Sequence, residues 1–222
     1  MRNSNITRLL AAGFTLALMA APLRAEDPVV YHGWPVGSKV RIDGSSNIHD
    51  WSMESTIVSG KFTVPAGVTI DSTQADIPGL KDGKLGAEAD VSIPVTSMKS
   101  GTSGLDEAMQ DAMKATEYPR IIYHLTDMTL KGPHAANTPF QFDTKGELTV
   151  AGVTNPIAMV VTVQNADKGK LKISGVAPLK MTDFKIKPPV KLGLFRTVDD
   201  VKITFDWVVG IPKKGPGAAA PK

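Results

Sequence analysis

The chain has 222 residues, with 25 Lys and Arg against 22 Asp and Glu, a formal net charge of +3 and a pI near 9.0. That surplus is terminal: Arg2, Arg8 and Arg24 lie in the first 25 residues and Lys213, Lys214 and Lys222 lie beyond residue 210, leaving residues 26–210 with 19 basic against 22 acidic groups. A nucleic-acid binder replaces condensed counterions with its own cations, so this body is not built for DNA or RNA. The absence of cysteine excludes disulfides, thiolate metal sites and a Cys nucleophile, and 42% apolar residues excludes both wholesale disorder and an integral membrane protein.

In chain order, residues 1–25 read as a signal peptide. Arg2 and Arg8 precede an apolar run from Leu9 to Ala21, and Leu23 and Ala25 suit the −3 and −1 positions of a cleavage site before Glu26. The run is too short for about 30 Å of hydrocarbon, so the expectation is export to the periplasm or beyond, with a retained anchor as the alternative. Residues 26–210 are expected to form one domain. Residues 211–222, rich in Pro, Gly and Ala, read as a disordered tail.

Period-two alternation runs through the body, the mark of strands with one buried face. Val40 and Ile42 open it. Trp51, Met53 and Ile57 oppose Ser52, Glu54 and Thr56, and Phe62 and Val64 follow a Ser59-Gly60 turn. Ala89, Val91, Ile93 and Val95 oppose Glu88, Asp90 and Ser92. Between these and the next strand, Leu105, Ala108, Met109, Ala112 and Met113 are spaced i, i+3, i+4, i+7, i+8, which predicts one amphipathic helix over residues 104–115. Pro119 marks the return to extended chain. Ile121, Tyr123 and Leu125 then oppose Arg120, His124 and Thr126. Phe140 and Phe142, and then Leu148 and Val150, face away from Lys145, Glu147 and Thr149. Ile157, Met159, Val161 and Val163 continue the pattern. Leu171 and Ile173 precede the clearest strand, in which Val201, Ile203, Phe205, Trp207 and Val209 share a face. About eight strands of this kind predict an all-β antiparallel fold, a barrel or a sandwich, with the helix as a cap. The helical methionines suit either core packing or a pliable lid over a ligand.

Two motifs add a resemblance. Tyr118-Pro119-Arg120-Ile121-Ile122-Tyr123 follows the amphipathic helix, and Gly146-Glu147-Leu148-Thr149-Val150-Ala151-Gly152-Val153-Thr154 precedes an alternating strand. In this order they resemble the YceI-like family over roughly residues 38–209. The resemblance implies a lipocalin-like antiparallel barrel, in exported bacterial proteins, that holds a long polyisoprenoid chain. The chain departs from the usual family pattern at Ser45–Trp51 and at Lys180–Pro189, both expected near the mouth of the pocket.

On this reading the cavity would be lined by Trp51, Met53, Ile57, Phe62, Val91, Ile93, Ile121, Tyr123, Leu125, Phe142, Leu148, Met159, Val161, Val163, Phe205 and Trp207. Leu105, Met109 and Met113 would form the lid, and His49 and Tyr123 would meet a head group. An eight-stranded interior is either filled by side chains or just wide enough for one slender ligand; composition alone leaves both open. An apolar chain would bind there for its desolvation, on the order of 0.8 kcal/mol per buried CH₂.

Chemistry is otherwise sparse. His32, His49, His124 and His134 have no metal-ligand spacing. His32 and His134 are expected to face solvent and His124 to lie on an outer face. His49 has three readings: a satisfied buried histidine, a head-group contact or a general base. No nucleophile elbow, phosphate loop or dinucleotide fingerprint occurs, so neither a catalytic residue, a metal nor a cofactor is expected beyond a bound isoprenoid lipid. Asp106 and Glu107 place anions on the first turn of the helix. Lysines 180, 185, 187 and 191 read as a solvated loop or as a transient contact with a membrane surface. The sequence thus carries three functions: a lipid carrier, a barrel enzyme using His49 or Tyr123, and a structural module with a filled core.

Overall fold

A computed structural model of the chain describes residues 27–191 and 195–212. The expected signal peptide, and the tail from residue 213, lie outside the described residues. Eleven strands form one antiparallel sheet: β1 (Val29–Gly33), β2 (Lys39–Ser46), β3 (Asp50–Ser55), β4 (Ser59–Val64), β5 (Glu88–Pro94), β6 (Arg120–Leu130), β7 (Phe140–Val150), β8 (Val153–Ala166), β9 (Lys170–Lys180), β10 (Val190–Lys191) and β11 (Phe195–Gly210). Helix α1 spans Ser103–Ala112, between β5 and β6. The order β1-β4-β5-β6-β7-β8-β9-β11 returns to β1 through His32↔Gly210 and Gly33↔Val209, closing an eight-stranded barrel. This is the all-β antiparallel barrel with one helix that the alternation and the resemblance implied.

The 16 residues of β11 let one strand serve two partners on the same edge. Its C-terminal end pairs with β1, and Thr197 to Asp206 pair with Ser46 to Lys39 of β2. At the junction the Ser38 hydroxyl accepts the Val208 N–H at 3.0 Å, so the change of partner leaves that buried amide satisfied. The β2–β3 hairpin therefore extends the wall above β1, and its far edge is tied to the chain entering α1 by reciprocal Glu54–Lys99 backbone hydrogen bonds, both 2.8 Å.

The two ends of the barrel differ. At one, Phe140, Phe142, Val163 and Val209 are fully buried and meet Val68, Ile70, Ile77 and Leu85 from the long 65–87 connection in one cluster. This connection has no alternation to predict it, yet it is well tied: the Leu85 N–H donates to the Met128 carbonyl, and the Ser72 N–H donates to Asn165 Oδ1. It makes a solid floor. At the other end α1, the β7–β8 turn and the 3-10 turn Met181–Phe184 gather Val95, Met113, Val150, Phe184 and Ile186 into a second cluster.

Local departures have plain causes. Ile57 is 54% exposed because β3 ends at Ser55, whose side chain still points inward. The connection is therefore Thr56–Val58, ahead of the expected Ser59-Gly60, and it breaks the parity that assigned Ile57 to the interior. Val95 begins a 3-10 turn rather than extending β5. Strand β1 was not expected at all.

Candidate functional site

Above the floor lies a cavity of about 550 Å³, within the range of natural small-molecule sites. Strands β2 to β9 and β11 each contribute residues that their alternation turns inward. Val40 and Ile42 come from β2, Trp51 and Met53 from β3, Phe62 from β4, and Val91 and Ile93 from β5. Opposite them stand Ile121, Tyr123 and Leu125 of β6, Leu148 of β7, Met159 and Val161 of β8, Ile173 of β9, and Ile203, Phe205 and Trp207 of β11. Thus thirteen of the sixteen residues proposed from sequence border one space. Ile57 does not, being outside. Phe142 and Val163 do point inward, but each is 0% exposed below the floor, where the 65–87 connection fills the lumen.

Glycines on the inward face keep this lumen from filling with its own rings. A Cβ at Gly44 would fall 2.2 Å from the Trp51 indole, one at Gly146 would fall 2.5 Å from the Tyr123 ring, and one at Gly175 would fall 2.7 Å from Phe205. Each ring faces its glycine across a strand pair: Gly44↔Trp51, Gly175↔Phe205, and Gly146 diagonal to Tyr123↔Leu148. With no side chain opposite, the aromatic lies flat on the wall rather than projecting into the lumen. Larger residues at Gly44 and Gly175 would leave the rings only the cavity to occupy, and at Gly146 a Cβ would also meet the His124 carbonyl oxygen at 2.5 Å.

The same geometry explains the two sequence motifs. Tyr123 rests on Gly146, while Tyr118 packs on Gly152, where a Cβ would come within 2.4 Å of the ring. Gly152 also has φ +77° in the β7–β8 turn, a conformation costly for other residues. The first motif supplies the rings and the second supplies the space for them.

Helix α1 covers one side of the cavity with Leu105, Ala108, Met109 and Ala112, and Met113 follows at its end, so the three residues expected in a lid do line the lumen. Its start is pinned. Ser100 donates to Asp106 Oδ1 through both its N–H and its hydroxyl, each at 2.7 Å. These bonds, with Lys99 3.7 Å away, hold the Asp106 carboxyl below its ordinary pKa, the Ser100 hydroxyl being the largest cause.

Polar groups collect at the rim. His49, Thr102 and Lys180 border the cavity and are exposed, so the space reaches the surface between the β2–β3 turn, the start of α1 and the end of β9. His49 belongs to the turn rather than to a strand, which is why strand parity did not bury it; its ring makes no hydrogen bond among the described residues. Lys180 donates to Asp200 Oδ1 at 3.0 Å, and that bond raises its pKa, with Asp199 and Asp183 adding to the effect. Deeper in, the Tyr123 hydroxyl is buried against the wall without a satisfactory hydrogen bond. Burial pushes its phenol above the ordinary value, and nearby Thr144, whose own hydroxyl donates to the Met159 carbonyl at 2.8 Å, partly offsets this.

The other histidines lie away from the cavity. His124 is on the outer face, with Nδ1 2.8 Å from Asp90. His32 is exposed. His134 was expected in solvent, but its ring stacks on Phe140 at 3.8 Å between centroids and its Nε2 is buried without a partner. No group of three or more metal-ligating side chains occurs among the described residues.

Sequence reasoning did not nominate Met98, Met181, Phe184 and Ile186, which also line the cavity. They sit on 3-10 turns and connections, where period-two alternation carries no signal. Ile157, Ile173, Val201 and Ile203 did lie on recognised inward faces and were left off the list.

A search of curated protein sequences returned no match. Among solved structures, the chain is similar to BcnA of Burkholderia cenocepacia, at 20% identity and a TM-score of 0.58, over 79% of this chain and 98% of that one. It is also similar to a polyisoprenoid binding domain from Saccharophagus degradans, described as implicated in plant cell wall breakdown, at 15% identity and a TM-score of 0.61, over 82% and 98%. A family model for the YceI-like domain matches residues 35–209. That match covers well over half of the chain, which therefore belongs to the YceI-like domain family.

Proposed function

We propose that this protein binds a long apolar lipid, a polyisoprenoid, as an exported carrier or store. The observation that carries the reading is the cavity itself: about 550 Å³ bounded almost wholly by aliphatic, Met and aromatic side chains, solid at the floor and open at a polar rim. Such a space favours a slender hydrocarbon by desolvation alone, about 0.8 kcal/mol for each CH₂ removed from water. The similarity to a domain described as polyisoprenoid binding supports the same class of ligand, and the N-terminal sequence supports export. A filled structural core is the weaker reading, because the glycine-aromatic pairs hold the interior open. Catalysis has no comparable support, since His49 is exposed on a turn without a partner for its ring.

Native mass spectrometry of gently purified protein, followed by organic extraction, tests the proposal. A mass increment that disappears on extraction and yields a prenyl lipid is expected. Protein that is empty as purified and fails to take up a polyprenyl probe from detergent would refute it.

A further inference from the structure

The placement of sulfur in this fold bears on how occupancy of the cavity is controlled. The chain has nine methionines and no cysteine, so thioethers are its only sulfur groups and the side chains most open to reversible two-electron oxidation. Met1 and Met19 lie outside the described residues; the other seven all line the cavity. Core packing alone does not require this. The 65–87 connection, which fills the floor, contains no methionine, and the side chains it meets there, Phe140, Phe142, Val163 and Val209, are fully buried. The thioethers accompany the open space rather than burial as such.

Accessibility divides the seven. Met53 and Met98 are fully enclosed, and Met113 and Met128 nearly so. Met109 of α1, Met159 of β8 and Met181 at the start of the 3-10 turn are half-buried, although each packs against a buried cluster. Met159 shares the inward face of β8 with Ile157 and Val161, so the surface it leaves open faces the lumen. A small oxidant entering at the rim meets these three first, because susceptibility follows exposure.

The chemistry needs only a peroxide. The thioether sulfur takes the terminal oxygen of hydrogen peroxide as the O–O bond breaks, and the proton of that oxygen passes through water to the departing hydroxide, which leaves as water. Sulfur loses two electrons, the peroxide gains them, and the side chain becomes a polar sulfoxide. The lining leaves this new acceptor few donors. The Thr144 hydroxyl, opposite Met159 in the β7–β8 register, already donates to the Met159 carbonyl at 2.8 Å. Met109 and Met181 pack against the apolar cluster of Val95, Val150, Phe184 and Ile186. An unpaired polar oxygen in such surroundings draws in water or turns its side chain away. Either change breaks the apolar wall on which hydrocarbon binding depends.

We infer that Met109, Met159 and Met181 form an oxidative modification site, and that their conversion to sulfoxides by a peroxide reversibly lowers the affinity of the cavity for its lipid. This rests on the lipid-binding reading and adds the means of its control. Binding and oxidation compete for one surface, so a seated apolar chain shields these sulfurs in turn.

The test treats lipid-free protein with graded hydrogen peroxide. Intact mass counts the added oxygens, peptide mapping locates them, a fluorescent prenyl lipid gives Kd, and thermal melting reports the fold. Oxidation is expected at Met109, Met159 and Met181 before Met53 and Met98. Protein oxidised at those three positions is expected to bind the probe at least about tenfold more weakly while keeping a cooperative melt. Methionine sulfoxide reductases for both epimers should then restore the original Kd. Saturation with the probe before treatment should slow the modification severalfold. In M109L/M159L/M181L, whose side chains keep a similar volume, the same dose should move Kd less than about twofold from that protein's own untreated value. An unchanged Kd in wild type oxidised at all three positions overturns the inference and leaves lipid binding standing. So does an equal loss in the leucine variant, or a loss that accompanies loss of the melt. Untreated protein that takes up no probe refutes the lipid reading and the inference with it.

Discussion

If glycines hold the lumen open, adding a side chain at one of them should empty the cavity of ligand without unfolding the barrel, and Gly175→Val is the sharpest case. Its Cβ would lie 2.7 Å and 2.8 Å from Phe205 Cζ and Cε1 and 3.3 Å from Val161 Cγ1. Gly175 lies on β9 between two paired strands and has an ordinary extended backbone, so valine adds no torsional strain and removes the roughly 0.5–1 kcal/mol penalty of a strand glycine. Phe205 has empty space beside it and would swing inward. Overpacking of a dense core costs about 1–3 kcal/mol, and the free space should bring the net change to about 1 kcal/mol or less, a Tm shift of a few degrees. The ring then occupies room for about three ligand CH₂ groups, at about 0.8 kcal/mol each, or some 50-fold in Kd. Thermal denaturation and displacement of a fluorescent prenyl probe measure the two effects separately. G175V/F205A should recover much of the lost affinity, because the ring that blocks the lumen is gone. Wild-type affinity in G175V, or no recovery in the double substitution, would refute the idea that these pairs set the cavity.

Other expectations concern single groups. Tyr123→Phe removes a buried hydroxyl that lacks a partner, so stability should hold or rise by up to about 1 kcal/mol in urea titrations; a loss of 2 kcal/mol or more would mean that the hydroxyl is well bonded. Burial raises the phenols of Tyr31 and Tyr123 in the folded chain. Their stabilising effect is therefore complete below about pH 10, the unfolded value, and is lost as pH climbs toward the folded values; Y123F should make the alkaline decline shallower. Asp106 titrates in the opposite sense, its folded pKa being depressed chiefly by the Ser100 hydroxyl. Its contribution is present above about pH 4 and fades on acidification, so Asp106→Asn should lower stability near neutrality, weaken acid sensitivity and speed amide hydrogen exchange in α1. Exchange and acid profiles identical to wild type would contradict the pinning of that helix. His49→Ala should change stability by no more than about 0.5 kcal/mol and leave prenyl-probe uptake intact; loss of uptake would make the imidazole a required contact.

The sequence disclosed which face each residue takes and hid its height along the barrel. Period-two alternation fixed Met53, Val91, Tyr123, Leu148 and Phe205 on the inner wall because a strand has only two faces. The same rule put Phe142 and Val163 there correctly, but it cannot say that the 65–87 connection has filled the lumen at their level. That connection contributes Val68, Ile70, Ile77 and Leu85 to the floor from irregular chain, and its place depends on contacts with distant strands. Ile57 failed because a turn of three residues shifts parity, and turn position is a weak local signal. His49 lies on the turn between β2 and β3, where strand parity no longer applies, and meets the cavity at its exposed rim. The glycines were visible at inward positions of otherwise apolar faces, but what a missing side chain makes room for is legible only once the cross-strand register is known.

A floor closed by a long connection and an opposite end covered by one short helix make the pocket single-ended, and this shapes how a ligand moves. An apolar chain cannot thread through Phe140, Phe142 and Val163; it must enter and leave at the rim around His49, Thr102 and Lys180. The wall there is also the least continuously paired part of the sheet. Above β1 it consists of the β2–β3 hairpin, whose far edge meets the chain before α1 through the Glu54–Lys99 bridge, and α1 itself rests on Asp106 and its two bonds from Ser100. Widening this end breaks few backbone hydrogen bonds, whereas widening the barrel at β7–β8 would break an uninterrupted ladder. The cost of ligand exchange is therefore concentrated in the helix and the hairpin beside it. The Tyr118–Gly152 and Tyr123–Gly146 contacts lie on the rigid side, where they fix the cavity's width while the opposite side admits its contents.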